Sequence, residues 1–249
     1  LHLSLRRQRQ MCIRDSHTIS LPQCYRCKTI IEIIPSEQWF LKMEKLAQLS
    51  KKVVREGKIK FQPKTFEKGY FAWLDNIQDW CISRQIWWGH PLPIWQCQRK
   101  TKNYFLSLGK PKKCPVCGKC KPKQIDDVLD TWFSSALWPF AVLGWPQKTK
   151  DLKTFYPTDV LVTGRDIINL WVARMIFSGL EFMKKIPFRK VFIHPTILTK
   201  EGKRMSKSLG TGVDPLELVK KYGVDATRFG LAWQLTGLQD LRFGEEHIV

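Results

Sequence analysis

The chain has 249 residues, 43% of them hydrophobic, which is enough to bury a core in one large domain or two smaller ones and argues against wholesale disorder. Forty-two Lys and Arg face 22 Asp and Glu, and the formal charge of +20 favours a polyanionic partner, nucleic acid first, over the alternative of a basic but inert surface. The most membrane-like stretch, Asp166 to Met183, is interrupted by Asp166, Asn169, Arg174 and Glu181, so no bilayer span is expected.

In chain order, residues 1–16 carry four arginines and no lysine, unlike the Lys-rich remainder, and read as a non-native leader rather than a secretory signal. The chain does not begin with Met and stops at Glu-Glu-His-Ile-Val, so it is expected to be a piece of a longer protein. Apolar residues from Trp39 to Glu56 form a helical stripe that Gly57 stops, and a second stripe runs from Phe66 to Cys81. On that pattern Cys81 is core. The proline-rich segment Pro91 to Trp95 reads as an edge strand. From Arg99 to Lys123 there are nine Lys or Arg and no acid, with Cys97, Cys114, Cys117 and Cys120 in or beside the stretch, as in a small loop-rich module.

The apolar strand Val160 to Val162 ends at Gly164, Asp166 opens a helical stripe to Leu180, Pro187 breaks it, and Val191 to Ile193 forms another strand. This is a βαβ unit with parallel strands and a right-handed crossover, and ligands of such sheets bind at the strands' carboxyl ends, here Gly164 to Asp166 and His194 onward. The loop Thr199 to Gly212 concentrates Lys203, Arg204 and Lys207 between glycine turns, which suits a transferring phosphate if it is not merely a solvated basic surface. Asp214-Pro215 then caps a helix that Gly223 ends, and Asp225 caps another.

Arg204-Met205-Ser206-Lys207-Ser208 resembles the KMSKS signature of class I aminoacyl-tRNA synthetases, and it stands after a βαβ unit and before a helix pair as that family requires. The segments at Gln38, Asp79 to Cys97, Asp130 to Phe140 and Val162 to Met175 resemble the valine, isoleucine and leucine subgroup, and Trp87-Trp88-Gly89-His90 with Trp132-Phe133-Ser134-Ser135 resembles its valine branch. The resemblance covers residues 17–249. It implies an α/β fold: the C-terminal half of a Rossmann-type parallel-sheet catalytic domain, a zinc-knuckle-containing connective insertion, and the start of a helical stem-contact region. The implied divisions are 17–124 for the tail of the connective and editing insertion, 125–200 for the second Rossmann half, and 201–249 for the KMSKS loop with the first stem-contact helices.

The resemblance further implies a cytoplasmic valine–tRNA ligase, monomeric at full length, with ATP, Mg2+, valine and tRNA(Val) as substrates and partners. Lys207 is then the catalytic cation with Arg204 assisting; Arg204 replaces the family's lysine and differs in reach and fork geometry. Gly164, Asp166, His194, Met205, Ser206, Lys207 and Ser208 are expected at ATP. Asp166 is open to a second role as helix N-cap, and Pro195 after His194 weakens that contact. Trp132, Asp166, Ile167 and Trp171 are expected at the amino acid, Ile167 and Trp171 sharing a helix face, with ordinary core packing as the alternative. Cys97, Cys114, Cys117 and Cys120 would hold Zn2+, Cys120 standing in because Lys100 occupies the expected partner position, unless the knuckle has degenerated. Cys24 and Cys27 would share a zinc with ligands outside this chain. The HIGH-type half of the ATP site is missing from the sequence, so no activity is expected of this polypeptide alone. Two other readings stay open: a stand-alone RNA-binding module derived from a synthetase, and an isoleucine-branch fragment.

Overall fold

A computed structural model of the chain describes residues 18–24, 26–100, 102–206, 210–235 and 240–248. The chain divides into two units, Leu1–Glu37 and Gln38–Val249. The described part of the first is a tight knuckle, in which the Cys24 amide donates to the Thr29 carbonyl and the Lys28 amide to the Cys24 carbonyl, each at 2.9 Å.

The second unit opens with β1 (Phe40–Leu41), α1 (Glu44–Arg55), β2 (Lys60–Gln62), α2 (Phe66–Asp75) and β3 (Trp80–Cys81). Two boundaries differ from the sequence reading. Trp39 and Phe40 are not helical, because β1 pairs antiparallel with β3 in the register Phe40↔Cys81. The same pairing takes Trp80 and Cys81 out of the second helix, which ends where the Asn76 side chain donates to the Ala72 carbonyl. Cys81 is therefore a half-buried strand residue rather than core.

Next come β4 (Ser83–Arg84), β5 (Ile94–Gln96), β6 (Tyr104–Leu106), β7 (Lys123–Gln124) and β8 (Val128–Leu129). β5 lies at the centre of the order β6-β5-β7, not at an edge. Pro91 and Pro93 both precede its ladder, so their missing amides cost it nothing. β8 pairs with β4 and leads into α3 (Thr131–Ala136), α4 (Trp138–Ala141) and α5 (Lys150–Phe155).

The predicted βαβ unit is present. β9 (Thr158–Gly164) and β10 (Phe188–His194) run parallel in register from Phe188↔Thr158 to His194↔Gly164, and β2 adds parallel to the far side of β10. The crossover between β9 and β10 is not one α-helix. It is a 3-10 turn, Arg165–Ile167, a π segment, Ile168–Val172, then α6 (Ala173–Ser178) and a second π segment, Gly179–Met183. Phe61, Leu161, Val191 and Ile193 point from the sheet into a core shared with Val54, Tyr70, Leu74, Val172, Met175 and Ile176. Val160 and Val162 alternate onto the opposite, exposed face, as the twofold repeat of a strand requires.

After β11 (Ile197–Leu198), α7 (Pro215–Tyr222) and α8 (Val224–Trp233), β12 (Leu241–Arg242) returns parallel to β11. The Asp214 carboxylate accepts the Leu216 amide at 2.9 Å, and Gly223 ends α7 with a φ of 88°, both as the sequence predicts. α8 begins directly at Val224, so Asp225 sits inside its first turn instead of capping it. No helix among the described residues is long and apolar enough to cross a membrane.

Candidate active site

The carboxyl ends of β9 and β10 bring Gly164 and His194 side by side. A methyl group on Gly164 would meet the His194 ring at 3.7 Å, an ordinary contact, so packing inside this chain does not demand glycine there. The absence of a side chain leaves a ligand room to approach backbone at the strand end. His194 is exposed, its Nδ1 2.9 Å from the Pro195 carbonyl.

Asp166 lies within the 3-10 turn, and Gly164, not Asp166, occupies the N-cap position. Its carboxylate instead meets Arg204, Nη2 to Oδ2 at 2.9 Å, with both side chains largely open to solvent. Arg204 reaches this point because the loop is folded back: Leu198 bridges Arg204, the Thr199 amide donates to the Lys203 carbonyl at 2.8 Å, and Gly202 turns at a φ of 77°. The Ser206 amide donates to Thr211 Oγ1 at 2.9 Å. Lys207 and Ser208 lie outside the described residues. Met205 packs against Leu218, Phe243 and Ile248, which places its side chain in an apolar cluster.

The residues expected at the amino acid lie on adjoining elements and have different partners within this chain. Trp132 borders a cavity of about 470 Å3 with Leu170, Arg174, Trp80, Arg84 and Asp130. Trp171 instead donates its indole N–H to the Ser135 carbonyl at 3.0 Å and meets the Trp138 ring, centroids 6.0 Å apart. Ile167 ends the 3-10 turn before the π segment begins, so the four-residue spacing does not place Ile167 and Trp171 on one α-helical face.

The Arg174 guanidinium stacks 3.7 Å over the Trp80 ring, and its buried Nε has no hydrogen-bond partner among the described residues. Burial pulls its pKa down to about 10; Asp130 acts in the opposite sense, and Arg84 adds to the fall. Asp130 accepts the Trp80 indole N–H at 2.9 Å and Arg84 at 3.0 Å on one oxygen, while its other oxygen caps α3 through the Trp132 amide at 3.3 Å.

Cys97, Cys114, Cys117 and Cys120 converge, all four Sγ atoms within 4.8 Å of one another. Cys97 and Cys120 are 3.8 Å apart and Cys117 and Cys120 3.3 Å, near the roughly 3.8 Å edge of a tetrahedron with ~2.3 Å metal–sulfur bonds. The Cys120 and Lys119 amides lower the Cys117 thiol to about 6, while burial and Cys117 raise Cys120 to about 11. The donor set fits a closed structural zinc site. In the first unit, hydrogen bonding from Thr29 lowers Cys27 to about 7, its Sγ 3.2 Å from Thr29 Oγ1.

A family model for tRNA synthetases class I (I, L, M and V) matches residues 25–244. The chain belongs to the class I tRNA synthetases. Curated relatives of this synthetase chain include the valine–tRNA ligases of Clostridium tetani, 58% identical over 90% of this chain, and of Carboxydothermus hydrogenoformans, 54% identical over 93%. The chain spans 25% and 26% of their respective lengths. The class I fold also relates it to Mycobacterium tuberculosis methionyl-tRNA synthetase bound to methionyl-adenylate, with a TM-score of 0.64, 20% identity, and coverage of 92% of this chain and 39% of that one. An Agrobacterium radiobacter leucyl enzyme in a ternary complex gives a TM-score of 0.58 at 22% identity, over 69% of this chain and 27% of that one.

Two features of the synthetase chain escaped the sequence reading. One is the Asp130 network, whose only signal was Arg174 interrupting an otherwise apolar run. The other is the ion pair between Arg165 and Asp240; Asp240 also accepts the Thr196 amide at 3.1 Å, clipping the β12 segment to the strand ends. Nothing local in the sequence marks that pair, 75 residues apart.

Proposed function

We propose that this chain is the second Rossmann half, with its thiolate module and first stem-contact helices, of a cytoplasmic, monomeric valine–tRNA ligase. In the reaction a valine carboxylate oxygen attacks the α-phosphorus of ATP, the bond to the β-phosphate oxygen breaks, and pyrophosphate leaves. A terminal ribose hydroxyl of tRNA(Val) then attacks the valyl carbonyl and AMP departs. The observation that carries this reading is the 2.9 Å contact between Arg204 of the basic loop and Asp166 at the end of β9. It brings a guanidinium to the edge of a parallel sheet where nucleotides bind, ready to exchange a carboxylate for phosphate oxygens.

On this reading Lys207 and Arg204 offset the charge that builds on the pyrophosphate side, with Mg2+ bound to the ATP phosphates. Gly164, His194 and the Ser206 to Ser208 stretch border the nucleotide. Trp132, Ile167 and Trp171 supply the apolar walls for two methyl groups, and Asp166 receives the ammonium. Cys97, Cys114, Cys117 and Cys120 hold a structural Zn2+, and the Cys24–Cys27 knuckle shares another with ligands outside this chain. Seven cysteines outside any disulfide among the described residues suit the reducing cytoplasm. Such apolar walls reject threonine only about a hundredfold, a magnitude that belongs to the valine enzyme as a general example.

The test is amino-acid-dependent exchange of labelled pyrophosphate into ATP, measured on the protein that carries this chain at its relatives' length. Valine should stimulate exchange far more than isoleucine. Exchange driven equally by isoleucine, or no exchange with valine, would overturn the assignment.

A further inference from the structure

Trp132 is the second residue of α3, a helix of six residues. So short a helix has almost no stability of its own, and its place is set by what holds its ends. At the amino end Asp130 holds it with both carboxylate oxygens. Oδ1 accepts the Trp132 amide at 3.3 Å, while Oδ2 accepts the Trp80 indole N–H at 2.9 Å and the Arg84 guanidinium at 3.0 Å. The Asp130 amide donates to the Ile82 carbonyl at 2.8 Å, which ties the backbone of this residue to the same stretch as its side chain.

Trp80 is a fixed post for that tie. It is buried, its ring lies 5.7 Å from that of Phe133 and 6.0 Å from that of Phe177, and the Arg174 guanidinium covers it at 3.7 Å. With Met43 and Phe177 it forms a buried cluster against which Trp132 and Phe133 pack. Towards the other end of α3, the Ser135 carbonyl accepts the Trp171 indole N–H at 3.0 Å. The helix therefore carries one indole on its own backbone and holds the second by a hydrogen bond. Moving α3 moves Trp132 and strains the hold on Trp171. All of these contacts join residues of this chain to one another.

We propose that Asp130 is a positioning residue for amino-acid selection: by tying α3 to Trp80 it sets Trp132 and Trp171 at the separation that admits valine and refuses a longer side chain. The inference rests on the valine–tRNA ligase reading and deepens it by naming what fixes two of the pocket's walls. An apolar pocket separates side chains one methylene apart by roughly 10- to 200-fold, and only while its walls hold still. A displacement on the order of 1 Å, made away from the reacting atoms, can cost about a hundredfold. The basic loop folds onto the end of β9 through Arg204 and Asp166, not onto α3. Loosening α3 therefore acts on the amino acid and leaves the phosphate side of the reaction as it was.

Pyrophosphate exchange on the protein at its relatives' length gives KM for valine, KM for ATP, and the ratio of kcat/KM for valine to that for isoleucine. Asp130→Asn keeps an acceptor for the α3 cap and loses the charge that holds Trp80 and Arg84. It should raise the valine KM about tenfold and lower the valine-to-isoleucine ratio about tenfold. KM for ATP and the active fraction, titrated by the adenylate burst, should stay as in the parent. Trp80→Phe keeps a ring and removes the N–H, so it should move both numbers the same way by less. In the Asp130→Asn background it should add nothing, since the two substitutions cut one tie. A residue that served only to stabilise the fold would lower the active fraction and leave KM and preference alone. Parental valine KM and preference in both variants would overturn the proposal, as would a double variant whose loss is the product of the single ones. Should Asp130→Asn fail to fold, Trp80→Phe decides by the same two numbers. A parent without valine-dependent exchange counts against the ligase reading, whereas parental exchange with unaltered variants counts against the role of Asp130 alone.

Discussion

The Asp130 carboxylate is 5% exposed and takes the Trp80 indole and Arg84 on one oxygen while capping α3 with the other. Arg174 adds a nearby positive charge that burial alone would disfavour. Removing the carboxylate leaves two guanidinium groups and an indole N–H without their anion, so Asp130→Ala should lower unfolding free energy by about 3 to 5 kcal/mol. Asp130→Asn keeps the cap and an acceptor and should lose much less. Denaturant titration of the two variants checks this, and equal losses would mean that charge is not what matters there. The Arg204–Asp166 pair is the opposite case. Both side chains are exposed, so breaking it should change stability by no more than ~1 kcal/mol. If the proposed function holds, Lys207→Ala in the protein at its relatives' length should nonetheless reduce valine-dependent pyrophosphate exchange at least about a hundredfold, because developing phosphoryl charge would lose its dedicated cation. A near-parental rate would remove Lys207 from the mechanism.

At the scale of elements, the parts legible in the sequence were those with a period or a cap. β9 and β10 appeared as apolar runs, and α7 appeared through Asp214, Pro215 and Gly223. β1 and β3 were invisible as strands because two residues cannot show an alternation, and both lie in apolar stripes with helical spacing. The π segments of the crossover were equally hidden, since inserting one residue per turn leaves the composition unchanged. Gly230 in α8 shows how a tertiary contact reverses a local preference. Alanine in a helix interior normally gains about 1 kcal/mol over glycine. Here the added methyl would stand 2.6 Å from the His247 carbonyl oxygen and 3.0 Å from Ile248 Cα, both backbone atoms. Gly230→Ala should therefore destabilise the protein, by about 1 kcal/mol or more, and raise the hydrogen-exchange rate of residues 245–248. A stabilised variant would show that the terminal turn yields freely.

For the whole molecule, two different sources of order meet in one unit. The sheet and its covering helices are held by a large apolar cluster around Leu161, Val191 and Ile193. The thiolate module has three short strands and few buried side chains, chiefly Ile94, Trp95, Cys97 and Cys114, which is little apolar area to offset nine neighbouring cations. Spacing alone left the fourth ligand open, because Lys100 stands where a knuckle partner was expected; the fold resolves the geometry by returning Cys120 beside Cys97. If zinc supplies the missing stability, a chelator should act on this module and spare the sheet. One equivalent of zinc should be released from this site, Trp95 fluorescence should shift as its indole loses the 3.1 Å bond to the Ser107 carbonyl, and far-ultraviolet helical signal should persist. Cys114→Ser should reproduce that state without chelator, since Cys114 is fully buried and its amide also holds the Cys120 carbonyl at 3.1 Å. A chelator that melts sheet and module together would show the metal supporting the whole unit. Unchanged fluorescence with no zinc released would show a module held by packing alone.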